Sequence, residues 1–281
     1  MDVKIFFAEK RRLVNKALKK ELERKGDVPQ KLFDAIHYAV FSNGKRLRPI
    51  LALTAFDACQ GKDLSWILPF AVGFELIHTF SLINDDLPCM DNDDMRRGKP
   101  TLHKAFDETT ALLAAMALFA KAYEIFCKSK APPNRKIQAI NYISRIIGAD
   151  GIVAGQMMDV HLKPDDLDLS RLKRIQRKKT AEFIAVVITT GAIIAGAKKD
   201  RIRLLWQAGI DLGMLFQITD DILDTRQDKE NQPTLVKLCG LNQARTIAEH
   251  YAKRARHKFS ALGEKFKPFI LITDWVAKRN N

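Results

Sequence analysis

The chain has 281 residues, 47% hydrophobic and 28% charged, so it can bury a sizeable core and has the make-up of a soluble globular protein. Its longest uncharged run, residues 183–197, falls short of the roughly 20 residues a membrane span requires, and its four cysteines (Cys59, Cys89, Cys127 and Cys239) form neither a CxxC pair nor a zinc-type spacing. A formal charge of +14 favours anionic partners, but no zinc-finger or basic-zipper pattern, and no aromatics interleaved with the basic clusters, supports a nucleic-acid binder.

Proline and glycine cut the sequence into helix-length pieces. Residues 7–25 have a charged helical pattern that ends before Gly26, and 30–42 end at the turn pair Asn43–Gly44. Residues 49–59 stop before Gly61, and the largely apolar 64–87 stop at Pro88. Residues 109–128 read as a buried-type helix stopped by Pro132–Pro133; pieces at 136–148, 152–162, 169–197, 202–224, 241–262 and 268–278 follow. No strand-period alternation persists and no turn-linked hairpin is expected. The economical reading is one all-α domain over residues 1–281, with the pieces that are apolar all round forming a buried central layer. The opening MDVKIFFAEKRR has no apolar core followed by small residues, so no secretory leader is expected; with scattered thiols this predicts a reduced, cytoplasmic protein.

Against the basic background, acid is concentrated twice. DDLPCMDNDDMRR, residues 85–97, follows an apolar run and holds five aspartates within ten residues; FQITDDILD, residues 216–224, ends another apolar helical pattern. Asp220 and Asp224 are four apart and share a helix face with Gln217. Uncompensated like charges at that spacing destabilise a helix by about 0.2–0.5 kcal/mol, and two unit charges 4 Å apart repel by about 4 kcal/mol at an effective dielectric of 20. A cation is therefore expected there. Carboxylates without His or Cys suit Mg²⁺, which bridges one or two carboxylates to a phosphate. Two such clusters suggest two walls of one cleft. SNGKRLRP, residues 42–49, adds Lys45, Arg46 and Arg48 beside a helix start marked by Pro49, a setting suited to a diphosphate.

GKRLRP at 44–49, DDLPCMDNDDMRRGKPTLH at 85–103, GQMMD at 155–159, KT at 179–180 and FQITDDILD at 216–224 occur in that order over nearly the whole chain. In this the chain resembles the trans-isoprenyl diphosphate synthases, the farnesyl and geranylgeranyl diphosphate synthases of bacterial and plant type. The resemblance implies an all-α isoprenoid-synthase bundle around a deep central cavity, and a homodimer. It implies condensation of isopentenyl diphosphate with an allylic diphosphate, dimethylallyl or geranyl, through three Mg²⁺ held by Asp85, Asp86, Asp91, Asp220, Asp221 and Asp224. Among these, Asp85, Asp91 and Asp220 are the expected direct ligands. Arg96 and Lys179 would hold the allylic diphosphate, while Lys45, Arg48, His78 and Arg97 would take isopentenyl diphosphate. Thr180, Gln217 and the backbone near Lys179 would turn oxygen dipoles on the carbocation. Phe80, five residues before Asp85 and so about 7.5 Å along a helix, would floor the cavity, and an aromatic there implies farnesyl diphosphate over geranylgeranyl diphosphate.

The chain departs from the family pattern at Asn84, where His is usual, and at Met116, where Asp is usual. The segment after Asp224 is shorter than the usual loop, with Gln232 where a lysine is expected and Lys229 its only lysine. These changes predict a weaker phosphate grip. Three other readings are a catalytically weak homologue acting as a binding or regulatory subunit, a class I terpene cyclase, and, last, a basic nucleic-acid binder. GKRLRP disfavours the cyclase, which needs no isopentenyl diphosphate site.

Overall fold

A computed structural model of the chain describes residues 3–24, 26–162, 168–224 and 234–280, without the side chains of Asp224 and Asn280. Among the described residues the chain is helical except for turns and one two-residue hairpin, so the fold is all-α. It divides into two compact units, Asp2–Leu53 with Asp63–Ala131, and Thr54–Lys62 with Pro132–Asn281.

The first unit holds α1 (Val3–Glu21), α2 (Gln30–Val40), the first half of α3 (Leu47–Ala58), α4 (Leu64–Asp86), the hairpin β1 (Met95–Arg96) and β2 (Lys99–Pro100), α5 (Leu102–Ala105) and α6 (Glu108–Cys127). Asp63 starts α4 by accepting the Ser65 N–H at 2.8 Å. Pro69, inside α4, has no N–H and its ring crowds the preceding turn. The carbonyl this releases is used elsewhere: Ser65 O accepts the Lys130 N–H at 3.4 Å, and next to it Trp66 O accepts the Ser129 hydroxyl at 2.6 Å. A helix breaker thus ties α4 to the segment leaving α6. Phe70 stacks on Phe126 at 5.1 Å and Phe80 leans on Phe119 at 5.0 Å, joining α4 to α6 through rings. By length and composition α4 and α6 would each pass for a membrane span, which counting uncharged runs does not bring out; 61% of the apolar window of α4 is buried in the protein, as in a core helix.

The second unit holds α7 (Pro133–Ile147), α8 (Ile152–Val160), α9 (Leu169–Gln176), a π-helical turn (Arg177–Ala181), α10 (Glu182–Ala195), α11 (Lys199–Asp224), α12 (Leu235–Cys239), α13 (Leu241–Ala261) and α14 (Lys267–Ala277). From Glu182 to Ile194 every residue of α10 is buried, which an all-round apolar helix requires. On α11, Asp211 is buried and faces Arg254 of α13 at 3.1 Å, with Lys258 also bound to it, so a buried charge pair ties these two helices.

Two expectations need correction. Residues 169–197 are not one helix, because the π-helical turn interrupts them; an extra residue per turn leaves no trace in an apolar pattern. A hairpin does exist: Met95 pairs with Pro100 and Arg96 with Lys99. Its strands are too short to alternate. Its turn residues Arg97 and Gly98 both have positive φ, 54° and 76°, the geometry of a tight primed turn. Tyr38 of α2 donates its hydroxyl to Pro100 O at 2.8 Å and pins the hairpin.

Candidate active site

Asp85 and Asp86 end α4. Adjacent helical residues point about 100° apart, so one carboxylate turns outward and the other inward. Asp85 is half-buried, whereas Asp86 is 4% exposed. Arg96, brought back by the hairpin, donates Nε to Asp86 Oδ1 at 2.6 Å and faces Asp93 Oδ2 at 3.3 Å. Burial pushes the Asp86 pKa up, with Arg96 opposing it. The Asp91 N–H returns to Asp85 O at 2.9 Å, folding the acidic loop onto the helix end, and leaves Asp91 half-buried.

The basic turn sorts its cations in the same way. Arg46 has φ +55°, outside the usual range for a side chain of its size, and this sends the guanidinium inward. Nη1 binds Glu75 Oε1 at 2.7 Å, Nη2 binds Val40 O at 2.7 Å and Nε binds Asn15 Oδ1 at 3.0 Å. Lys45 is exposed and Arg48 half-buried. Pro49 is the third residue of α3, where a missing N–H is harmless. A β-carbon added at Gly44 would meet Arg97 Nη1 at 2.9 Å, so the basic turn and the hairpin tip are in contact.

His78, on α4, stands among these groups. Its Nδ1 is buried without a hydrogen-bond partner among the described residues. Its pKa is held well below 6.5, first by burial and then by Arg48, Arg97, Arg96 and Arg46. The imidazole is therefore uncharged at neutral pH, and four guanidinium groups act on one point. Burial also lowers the Arg97 pKa, and Arg46 and Arg96 add to this against the pull of Glu75. Such crowding of cations is relieved by an anion. A cavity of about 40 Å³ lined by Thr79, Leu82, Asp86, Arg96 and Arg97 opens here.

In the second unit, α11 carries Gln217, Asp220 and Asp221 on its last turns. Asp221 is buried and saturated: Gln176 Nε2 and the Leu235 N–H donate to Oδ2 at 2.7 and 2.9 Å, and Gln217 Nε2 donates to Oδ1 at 2.9 Å. It fastens the end of α9 and the start of α12 to α11. Thr180 donates its hydroxyl to Gln217 Oε1 at 2.7 Å, so a polarised chain runs Thr180–Gln217–Asp221. Lys179 and Thr180 lie in the π-helical turn, a distortion often found at functional positions. Lys179 Nζ binds Asp159 Oδ2 at 2.8 Å. A β-carbon at Gly155 would come within 2.6 Å of Lys179 N, and one at Gly213 within 2.5 Å of Ala181 Cα; bare glycines allow α8 and α11 to approach the turn. Asp220 is half-buried and lies 3.0 Å from Arg279 Nη2.

The side chain of Asp224, together with Lys229 and Gln232, lies outside the described residues. A larger cavity of about 540 Å³ among α7, α10 and α11 includes none of the predicted site residues. Among the described residues no group of three His, Cys, Asp or Glu side chains forms a ready-made metal cage. The donors present are carboxylates only, which fits a hard cation that takes one or two carboxylates and completes its shell with phosphate and water. Sequence reasoning did not assign Asp159, Glu75, Gln176 or Arg279. GQMMD pointed at Asp159; the other three have no local signal, since their partners are 29, 45 and 59 positions away along the chain.

A family profile described as polyprenyl synthetase matches residues 29–235. The large subunit 1 of the heterodimeric geranylgeranyl pyrophosphate synthase of Arabidopsis thaliana chloroplasts is 36% identical over 300 residues, covering 100% of this chain and 80% of that one. The chloroplastic geranylgeranyl pyrophosphate synthase of Catharanthus roseus is 36% identical over 296 residues, covering 100% of this chain and 82% of that protein. Among solved structures, an apo FPP/GFPP synthase from Zymomonas mobilis superposes with a TM-score of 0.90 at 33% identity, covering 98% of each chain. The Helicobacter pylori geranyltransferase complexed with magnesium and isoprenyl diphosphate superposes with a TM-score of 0.87 at 28% identity, covering 99% of this chain and 97% of that one. With these likenesses spanning the aspartate-rich segments, the guanidinium cluster and the π-helical turn alike, the chain belongs to the trans-isoprenyl diphosphate synthases of the polyprenyl synthetase family and is a short-chain prenyltransferase.

Proposed function

We propose that the enzyme condenses isopentenyl diphosphate with an allylic diphosphate to give geranylgeranyl diphosphate. The observation that carries the diphosphate reading is buried His78 Nδ1, without a hydrogen-bond partner among the described residues and within the field of Arg46, Arg48, Arg96 and Arg97. Arg48 and Arg97 are the grip on isopentenyl diphosphate, with exposed Lys45 beside them. Neutral His78 donates or accepts a hydrogen bond without adding to the positive charge. Arg46 acts indirectly, because its three donor atoms are taken up by Glu75, Val40 and Asn15.

Magnesium, when bound, neutralises the diphosphate leaving group, and a neighbouring fold relative was crystallised with magnesium and isoprenyl diphosphate. Asp85, Asp91, Asp220 and Asp224 are the residues that would hold it. Asp86 and Asp221 serve by position, one locked to Arg96 and the other accepting three hydrogen bonds. Lys179, oriented by Asp159, contacts the allylic diphosphate. The Thr180 hydroxyl donates a hydrogen bond to Gln217 Oε1, so its lone pairs are left for the developing allylic cation. The double bond of isopentenyl diphosphate attacks, and the departing diphosphate takes the proton released.

Phe80 pointed to farnesyl diphosphate, whereas the curated relatives are chiefly geranylgeranyl diphosphate synthases. The ring of Phe80 is half-buried and rests on Phe119, which rests on Tyr123 at 5.2 Å. An aromatic ladder of this kind offers successive floors. Incubating the protein with Mg²⁺, labelled isopentenyl diphosphate and each allylic primer should give a C20 diphosphate; a C15 end product returns the assignment to farnesyl diphosphate, and no condensation refutes the enzyme reading. In the same assay Phe80→Ala should shift the product to C25 or longer, and an unchanged length removes Phe80 as a floor.

We also propose a homodimer. Leu112, Leu113 and Met116 form an exposed apolar row on α6, including the position where an acidic residue is usual. Light scattering should give twice the 31.9 kDa chain mass; a monomer, stable at high concentration, rules this out.

A further inference from the structure

We propose that Arg279 is a positioning residue that holds the Asp220 carboxylate in place for a divalent cation. This rests on reading Asp220 as a metal ligand. Arg279 follows α14 in a short helical turn, Lys278–Asn280. Its Nη2 lies 3.0 Å from Asp220 Oδ1, its guanidinium carbon lies 5.0 Å from the Phe216 ring centre and 5.5 Å from that of Trp275, and its side chain is 16% exposed. Lys278, beside it in sequence, is exposed.

The arrangement is built twice from the same spacing. Phe216 and Asp220 are four apart on α11, so ring and carboxylate share one face. Trp275 and Arg279 are also four apart, and the tight turn that follows α14 brings the guanidinium back over the ring. A planar cation against two rings loses its freedom to swing, and the oxygen it touches is fixed with it. Carboxylates that ligate metals are commonly held by a hydrogen bond behind them. Arg279 Nη1 is buried without a partner among the described residues, a penalty that folding stability alone does not explain. A cation in that place could also act in the opposite sense, by repelling a metal. The two rings decide between these: a competitor must leave when the metal enters, and Arg279 is clamped.

Binding of magnesium pyrophosphate to the full chain, followed by isothermal titration calorimetry, tests this. Arg279→Ala should weaken binding about 10–100-fold, with a melting temperature close to that of the wild type. Arg279→Lys, which keeps the charge but loses the planar stack, should recover only part. Asp220→Asn should also weaken binding, and adding Arg279→Ala to it should cost no more than about twofold further, because the two act as one unit. Unchanged or tighter binding by Arg279→Ala overturns the proposal, as does a full additional loss in the Asp220→Asn background, which would mean direct contact with pyrophosphate. If Asp220→Asn binds like the wild type, the metal-ligand reading fails and the proposal with it; if only Arg279→Ala does, that reading stands and the proposal alone falls.

Discussion

Asp85→Ala is expected to lower kcat about 1000-fold while leaving the thermal unfolding curve in place. Asp85 ends α4 half-buried, next to a loop folded back by the Asp91 N–H, and its side chain is the outward member of an adjacent pair. Losing one carboxylate of a diphosphate-neutralising set removes an interaction that grows as the leaving group takes up charge, so the loss falls on kcat more than on KM. The same change one residue along should behave differently. Asp86 is buried and held by Arg96, so Asp86→Ala takes away the shorter of the two carboxylate contacts of Arg96, leaving Asp93, and lowers stability by about 1–3 kcal/mol as well as activity. Steady-state kinetics paired with melting curves separates the two; if Asp85→Ala keeps more than about a tenth of the wild-type kcat, Asp85 is not a ligand.

The second large effect concerns the fold. Arg46→Ala is expected to destabilise the protein by about 3–5 kcal/mol, a substantial part of the total stability of a typical domain. Arg46 and Glu75 are 5% and 2% exposed and 2.7 Å apart. Truncating the arginine leaves a buried carboxylate without its counter-charge and also strips donors from Val40 O and Asn15. The change should therefore lower the urea midpoint markedly. Replacing both partners together, Arg46→Met with Glu75→Leu, should recover most of the loss, because the penalty lies in the stranded charge rather than in the missing pair. Arg48→Ala is the contrasting variant: it should raise the KM for isopentenyl diphosphate with a much smaller change in midpoint. Equal midpoints for Arg46→Ala and Arg48→Ala would mean that Arg46 is not an internal strut.

Much of the fold was legible because its signals are local. Gly26, the Asn43–Gly44 pair, Gly61, Pro88 and Pro132–Pro133 punctuate apolar runs, and the structure ends or starts helices near each of them. The signal failed where it was not local. Residues 64–87 read as one helix and α4 does run through Pro69, but nothing local shows that Lys130, some 60 positions away along the chain, takes up the Ser65 carbonyl that the proline releases. The π-helical turn at Arg177–Ala181 lies in a stretch that reads as continuous helix, and its shape depends on the bare backbones of Gly155 and Gly213 packing against it. The short hairpin escaped because Arg97, at φ +54°, occupies a turn position normally announced by Asn, Asp or Gly.

The all-α class and the chemical character of the site follow from residue order alone. Helix period, proline and glycine placement, and runs of carboxylate and guanidinium are properties of residue type and spacing, and they survive without coordinates. How the members of each run divide their roles depends on packing between distant segments. Asp85 turns outward and Asp86 inward, Arg48 is half-buried whereas Arg46 is buried against Glu75, and Asp220 lies against Arg279 while Asp221 sits inside a net of three donors. The reason is geometric. Along a helix or a strained turn, neighbours of identical chemistry leave the backbone in different directions, and what each one meets is supplied by segments dozens of residues away.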